Sequence, residues 1–483
     1  MKIVNSYYDL GNDFYKEKKP DKVKNPQLLI FNKKLAKKLN LELGKNERFL
    51  TDIFSGNKLL PNSKPISLAY AGHQFGNFVP RLGDGRACLI GEVRDKKQEL
   101  HDVQLKGSGR SFFSRNGDGK CPLDAGIREY IVSEAVHYLK ISTSRSLALV
   151  KSDEFIQRNE YIPASVITRV AKGHIRIGSF EYFAHRRDFV NLQKLADYTI
   201  ARFLPKYVNK KNKYISLLKY LMKLQAELVS DWMGVGFIHG VMNTDNISVS
   251  GQTIDYGPCA FMDEFNRNQT FSYIDQAGRY SFMQQKNIIY WNIAKFAGAI
   301  LPLIDNDIHK AVKIAELEIN KFPDLYDQIY YKKMAKKIGV FNFKNEISDR
   351  ILIDEFLDIL ENNKIDYTNG FRILSKILKE EACFFIMNEK WFNWQKKWQK
   401  RLKTQNMDFI LIAKKLDKIN PILIPRNHII ARIIKKAVFE NDYQEFYEFL
   451  EAIEKPYLEY KKYSKYYLPP KETERVINTF CGT

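Results

Sequence analysis

Cysteine is scarce in this 483-residue chain: only Cys88, Cys121, Cys259, Cys383 and Cys481 occur. No pair has CxxC spacing, which speaks against a structural zinc site, and so few thiols suit a reducing compartment. Cys481, close to the last residue, reads either as a redox thiol or as a bystander on a tail. Long apolar runs are missing too. The longest, from Phe296 to Ile304, is far too short to cross a bilayer, so no membrane partner is expected. The opening MKIVNSYYDLGNDFYKEKK has neither the apolar core of a signal peptide nor the Arg- and Ser-rich, acid-poor character of a transit peptide, and the expected location is cytoplasmic. Acidic residues are in deficit: 56 Asp and Glu face 77 Lys and Arg, a net charge of +21. Such an excess favours anionic partners. It is spread along the chain without a dense block, so it equally describes a solvated, Lys-rich surface and identifies no ligand.

What is present is the composition of a folded protein, 45% apolar and 13% aromatic. The length allows about two to four structural units. Residues 1–65 form a polar N-terminal extension, expected to pack on the core and ending in the turn-rich SGNKLLPNSKP. Residues 66–300 hold Gly-rich loops and nearly every polar cluster of interest. Residues 301–483 are Lys-rich with helical apolar spacing, as in YDQIYYKKMAKKIG, and end in the Cys-containing tail. In the central zone, Ala87 to Val93 and Asp102 to Lys106 read as strands and Ala125 to Lys140 as a helix. Ser146 to Val150 and Ala164 to Ala171 read as strands, Leu192 to Leu204 and Ile215 to Met233 as helices. A Gly-rich loop from Gly234 to Asn246 then leads into a hairpin: NISV, a Ser250-Gly251 turn, QTI. This order predicts an α+β, protein-kinase-like bilobal fold. Its strand-rich lobe would span 66–190 and its helical lobe 191–300, followed by a largely helical C-terminal region.

The hairpin is where chemistry is expected. Asn246 precedes its first strand and Asp255 follows its second, so pairing of the strands brings an amide oxygen and a carboxylate together. Such a pair suits Mg²⁺ with phosphates as further ligands, the task of the catalytic-loop Asn and the D-F-G Asp in kinases. The alternative is a hairpin whose Asn and Asp only form turns. A kinase places its base Asp five positions before that Asn; here the position is Val241, which cannot accept a proton. Asp245 is the remaining carboxylate of the loop and the candidate general base. Lys106 ends a strand, and Glu129 shares an apolar helical stripe with Val132, Val136 and Leu139, so the two are expected to pair. Gly83-Asp84-Gly85-Arg86 and Gly117-Asp118-Gly119-Lys120, with Lys106-Gly107-Ser108-Gly109-Arg110 between them, read as turns singly and as phosphate-binding loops together. Arg169 and Arg176 offer guanidinium forks that match phosphate oxygens.

These runs together resemble the selenoprotein O family. The matching strings are LAYAGHQFGNFVPRLGDGRA, DVQLKGSGR, GIREYIVSEA, VITRVAKGHIRIGSFEYFA and HGVMNTDNISVSGQTIDYGPCAFMD, then GRYSF and the terminal TFCGT. The resemblance implies a pseudokinase fold that binds ATP flipped and transfers AMP to Ser, Thr or Tyr hydroxyls of protein substrates, releasing pyrophosphate. It implies nucleotide contacts from Gly83, Gly85, Arg86, Lys106, Asp118, Gly119, Arg169, Arg176 and Asp255. Asp245 would be the base, Asn246 and Asp255 the ligands of Mg²⁺ or Mn²⁺, and Glu129 the support of Lys106. Where this chain has GRSFFSR and GDGKCPLDAGIREY, relatives often read GRTPYSR and GDGRAVLRSSIREY; neither change removes an implied ligand. Cys481 stands where some eukaryotic relatives carry selenocysteine. Some relatives imply a pairing of that residue with a Cys shortly before GRYSF, but this chain has none there. A monomer without specific nucleic-acid partners is expected. Alternatives are UMP transfer from UTP with Mn²⁺, an atypical kinase or ATPase, and a basic nucleic-acid-binding scaffold.

Overall fold

β-branched and apolar residues alternate through the first half of the chain, and there the backbone forms sheet. A computed structural model describes residues 3–41, 44, 46–381 and 388–479, so Cys383 and Cys481 lie outside the described residues. The strands of this half are β1 (Tyr15–Glu17), β2 (Gln27–Phe31), β3 (Ile66–Leu68), β4 (Gly72–Gln74), β5 (Asn77–Val79), β6 (Ala87–Arg94), β7 (Leu100–Lys106), β8 (Cys121–Pro122), β9 (Arg145–Gln157) and β10 (Tyr161–Ala171). All but β4 and β5, which form their own hairpin, join one antiparallel sheet. Its order is β1-β3-β6-β7-β10-β9-β2, with β8 added on β10. The polar N-terminal segment thus supplies both edge strands.

Among the described residues the helices are α1 (Lys33–Lys38), α2 (Glu47–Ser55), α3 (Leu123–Tyr138), α4 (Ile177–His185), α5 (Phe189–Phe203), α6 (Lys213–Gly234) and α7 (Gln285–Ile304). Then follow α8 (Ile308–Ile319), α9 (Phe322–Lys337), α10 (Ile347–Asn362), α11 (Tyr367–Leu378), α12 (Glu389–Lys403), α13 (Phe409–Ile419), α14 (Asn427–Phe439) and α15 (Gln444–Ile453). The two-residue strands β11 (Phe237–Ile238) and β12 (Ala260–Phe261) pair within this helical half. The whole is a mixed α+β chain with an antiparallel sheet and a helical C-terminal region.

Register decides which side chains meet. Lys106 lies opposite Ile167 and Gln104 opposite Arg169, so alternation puts Gln104, Lys106 and Arg169 on one face. Helix α3 covers that face, while α1 and α2 cover the other, where Val103 and Val170 meet Leu35, Ile53 and Phe54. Helix α3 carries more than the single apolar stripe read from its spacing. Tyr130, Ile131, Val132 and Val136 are all buried, because α14 and α15 close over the side away from the sheet. The expected 247–254 hairpin forms its turn but no ladder of its own. Ser248 bridges to Arg176 and Thr253 to Thr143, so each arm pairs with an older part of the fold. Helix α7 has the length and mean hydropathy, 1.3, of a membrane span. It nevertheless packs inside the protein: Ile289, Ile293, Phe296 and Ile300 are fully buried, and Asn292 donates to the Met242 carbonyl at 2.9 Å.

One buried charge stands apart from the cleft described next. Lys337, at the end of α9, is 6% exposed; it donates to Asn420 Oδ1 at 2.8 Å and lies 4.2 Å from the Phe371 ring. Burial lowers its pKa from 10.5 to about 7. The folded chain therefore releases this proton before the unfolded chain does. Its contribution to stability is complete above the unfolded value and is lost as pH falls towards 7. In urea titrations at pH 7 and pH 9, the parent is expected to gain about 2 kcal/mol relative to Lys337→Met over that interval. A constant difference between the two proteins would refute the assignment.

Candidate active site

A cleft of about 910 Å³ runs along the end of the sheet. Gly83, Gly85, Arg86, Lys106, Asp118, Gly119, Arg169, Arg176, Asp245, Asn246 and Asp255 all line it. Gly107, Ser108 and Gly109 do not line it, and Glu129 stands behind the wall. Its carboxylate accepts Lys106 Nζ at 2.6 Å and also Arg169 Nε. The same two cations reach forward to Asp255, Arg169 Nη2 at 2.8 Å and Lys106 Nζ at 3.4 Å from Oδ1. Two carboxylates and two cations thus form a charge-balanced square, buried at Glu129, Lys106 and Arg169 and half-buried at Asp255. Burial opposes ionisation of Glu129, but Arg169 and Lys106 outweigh it and hold its pKa at about 2. Burial also opposes ionisation of Asp255; Arg169, Lys106 and Arg176 prevail and keep it well below the usual carboxylate range. Both acids are therefore charged at neutral pH. Removing one corner of such a square leaves an uncompensated charge, which is costly inside a protein.

Arg176 is held separately. Its guanidinium lies 4.3 Å from the centre of the Tyr70 ring, and Nη2 is 3.6 Å from Asp84 Oδ1. Asp84 is itself fixed by the Tyr70 hydroxyl and the Gln104 amide, each at 3.1 Å. Among the described residues, the buried Arg176 Nε has no hydrogen-bond partner. A buried donor without an acceptor is costly, and an anion entering the cleft would supply one. By sequence Asp84 is part of a turn or phosphate-binding loop with no role of its own; in the structure it is the acid that orients this arginine.

The glycine-bearing loops are stitched to one another. Gly83 has φ +70°, and a Cβ there would stand 2.2 Å from the Phe113 ring. Gly119 has φ +71°, and its Cβ would meet the Gly109 carbonyl carbon at 2.2 Å. Only glycine lets these loops approach so closely. The Ser111 hydroxyl donates to the Asp84 carbonyl at 2.7 Å, tying the 109–115 loop to the first triplet. Asp118 is engaged by a residue that carries no signal in the sequence: Arg158 donates to it at 2.8 and 2.9 Å.

The Thr244–Asn246 segment is a 3-10 turn on the opposite wall. Asn246 donates its Nδ2 to the Val241 carbonyl at 3.1 Å, and Val241 faces the cleft. The Asp245 side chain is buried, and burial raises its pKa to about 6 against the opposing pull of Arg176. Among the described residues, Asp245 Oδ1 has no hydrogen-bond partner. Several residues that brace this loop carry no role in the sequence reading, although they sit in strings quoted there. The Asn243 amide oxygen accepts the Tyr280 hydroxyl at 2.6 Å and the Phe75 N–H at 3.0 Å. The Thr244 hydroxyl donates to Glu181 at 2.5 Å.

Comparison with known proteins decides the family. The model of a family described as protein adenylyltransferase SelO matches residues 1–454. The chain belongs to the SelO family. It is also similar over its full length to curated proteins named protein nucleotidyltransferase YdiU. The relative from Maridesulfovibrio salexigens is 43% identical over 487 residues, covering 100% of this chain and 98% of the relative. That from Teredinibacter turnerae is 41% identical over 487 residues, covering 100% of both. That from Bacillus cereus is 44% identical over 484 residues, covering 100% of this chain and 98% of the relative. A SelO member is an enzyme of the nucleotidyltransferase class, and a cleft rich in buried cations and glycine loops suits a nucleotide.

Proposed function

We propose that this enzyme transfers AMP from ATP to Ser, Thr or Tyr hydroxyls of protein substrates, with the nucleotide reversed relative to an ordinary kinase. One juxtaposition carries the reading. Val241, apolar, stands five positions before Asn246, while Asp245, with one carboxylate oxygen unpartnered among the described residues, lines the same cleft as Lys106, Arg169 and Arg176. The triphosphate tail would lie among those three cations, leaving the α-phosphate towards Asp245. As it binds, phosphate oxygens compete with Asp255 for Lys106 and Arg169. The Lys106–Glu129 pair on sheet and α3, and the Asn246 and Asp255 positions, support a kinase-like bilobal arrangement with lobes at 66–190 and 191–300.

Asn246 and Asp255 would hold the divalent ion. The fit is chemical: both offer oxygen, and among the described residues no thiolate or imidazole lines the cleft, so a hard ion such as Mg²⁺ or Mn²⁺ suits it. Bound there, the ion would neutralise phosphate charge during transfer. The acceptor hydroxyl oxygen forms a bond to the α-phosphorus and gives its proton to Asp245. The bond from that phosphorus to the oxygen bridging the β-phosphate breaks, and pyrophosphate leaves with the electron pair. Glu129 keeps Lys106 aimed, and the Gly83 and Gly119 loops let backbone N–H groups approach the nucleotide.

Parallel incubations with ATP labelled at the α- or the γ-phosphate test this, with UTP and Mn²⁺ as a further arm. Label on protein is expected from the α position and none from the γ position. Label retained only from the γ position would overturn AMP transfer in favour of a kinase, and preferential labelling by UTP would reassign the nucleotide.

A further inference from the structure

Behind the proposed base lies a buried carboxylate that the reaction, as described, leaves unused. The Glu181 side chain, on α4, is 5% exposed. Its Oε2 accepts the Thr244 hydroxyl at 2.5 Å, and its Oε1 lies 2.7 Å from His73 Nδ1. The Thr244 oxygen in turn accepts the His73 backbone N–H at 2.7 Å. Helix α4, strand β4 and the Thr244–Asn246 turn thus close a ring of hydrogen bonds on the residue just before Asp245. The packing leaves no slack: a Cβ on Gly72 would stand 2.4 Å from Asp245 Oδ1, and one on Gly178 would stand 2.1 Å from the Ala71 carbonyl oxygen. Among the described residues no Lys or Arg lies within salt-bridge distance of Glu181. A carboxylate is a costly way to fill apolar space, and burial shows here as a pKa raised to about 7.

We infer that Glu181 is a positioning residue for the transfer: through Thr244 and His73 it holds the Thr244–Asn246 turn, so that Asp245 and Asn246 face the cleft. The inference rests on the roles proposed above for those two residues. Without Glu181 the Thr244 hydroxyl loses its acceptor. The turn then keeps its Asn246 N–H to Asn243 carbonyl bond at 2.9 Å, the Asn246 Nδ2 bond to the Val241 carbonyl and the His73 N–H bond to the Thr244 oxygen, but its only tie to α4 through a side chain, among the described residues, is gone. Reacting groups displaced by about 1 Å can lose as much as about 10²-fold in rate.

The test is steady-state release of pyrophosphate from ATP by the full chain, with a general protein such as casein in excess as acceptor. Glu181→Leu is expected to lower kcat by roughly 10–100-fold and to change KM for ATP by less than about 3-fold, since the cations that would grip the triphosphate lie elsewhere. Glu181→Gln keeps a carbonyl for Thr244 and an amide for His73, and is expected to recover most of the rate. Thr244→Val removes that bond, and with it the acceptor of the His73 N–H, without leaving a cavity; it should lose at least as much rate, which keeps the test open if Glu181→Leu fails to fold. Glu181→Leu and Thr244→Val combined in one chain should cost little more than Thr244→Val alone. Parent-like kcat in Glu181→Leu and Thr244→Val would overturn the inference, as would a Glu181→Gln variant no better than Glu181→Leu. Asp245→Asn belongs in the same series. If it is fully active, the base reading fails; if it is inactive beside an unimpaired Glu181→Leu, the Glu181 inference fails alone.

Discussion

Asp255→Ala is expected to reduce transfer by at least about 10³-fold, because a metal ion that steadies phosphate charge is worth several kcal/mol in the transition state. The side chain is the one carboxylate of the square that opens to the cleft, at 27% exposed against 3% for Glu129. It is also ionised, since Arg169 and Lys106 overcome the burial penalty. Loss of the charge removes a hard-ion ligand and leaves one positive charge uncompensated, but Lys106 and Arg169 both keep Glu129 as partner and the vacated corner opens to solvent in the cleft. The fold should therefore survive with a melting shift of only a few degrees. Asp255 has φ +63°, a left-handed conformation that alanine tolerates no better, so the backbone gives no relief either way. Asp255→Asn keeps the shape and loses the charge, and it should be nearly as inactive. Activity within about tenfold of the parent in the alanine variant would remove the metal from Asp255 and, with it, the proposed use of the cleft.

How much of this is legible in the sequence depends on whether a feature is local. Strands β6 and β7 and helix α3 follow from alternation and helical spacing within a few residues of their observed bounds. Lys106 and Glu129 are readable as a pair because a charge on a buried stripe needs an opposite charge. Non-local pairing is not readable. The arms at Ser248 and Thr253 look like a hairpin by composition, but the Arg176 and Thr143 backbones compete for them and win. Strands β1 and β2 are too short to show a period, and only the exposed edges of the sheet draw them in. Buried acids are the hardest. Asp84 sits between two glycines and reads as a turn, and Glu181 sits in an apolar helix with nothing beside it to suggest a partner. What reveals each is the donor facing it, Arg176 for one and Thr244 for the other, and sequence order does not encode that partner.

Asp245→Asn separates the chemistry of the loop from its architecture. The substitution changes one oxygen to nitrogen and leaves the side chain the same size in a site where Gly72 presses against it. It retains polarity towards Gln74, which hydrogen-bonds the native carboxylate. What it removes is the capacity to take a proton, worth about 10²–10⁴-fold where a positioned base acts in the transition state. The expected result is a kcat lower by about 10³-fold with ATP affinity no weaker than the parent's, because one negative charge has left the neighbourhood of the triphosphate. The metal concentration for half-maximal rate should stay near that of the parent, unlike in Asp255→Ala, since Asn246 and Asp255 are intact. The acceptor supplies an internal check. A phenol ionises near pH 10 and needs less help than an aliphatic alcohol, so transfer to Tyr should suffer less than transfer to Ser. Equal losses on both acceptors would argue that Asp245 positions rather than deprotonates. No loss at all would leave the Gly234–Asn246 loop without a carboxylate base, since Val241 has no proton acceptor to offer in its place.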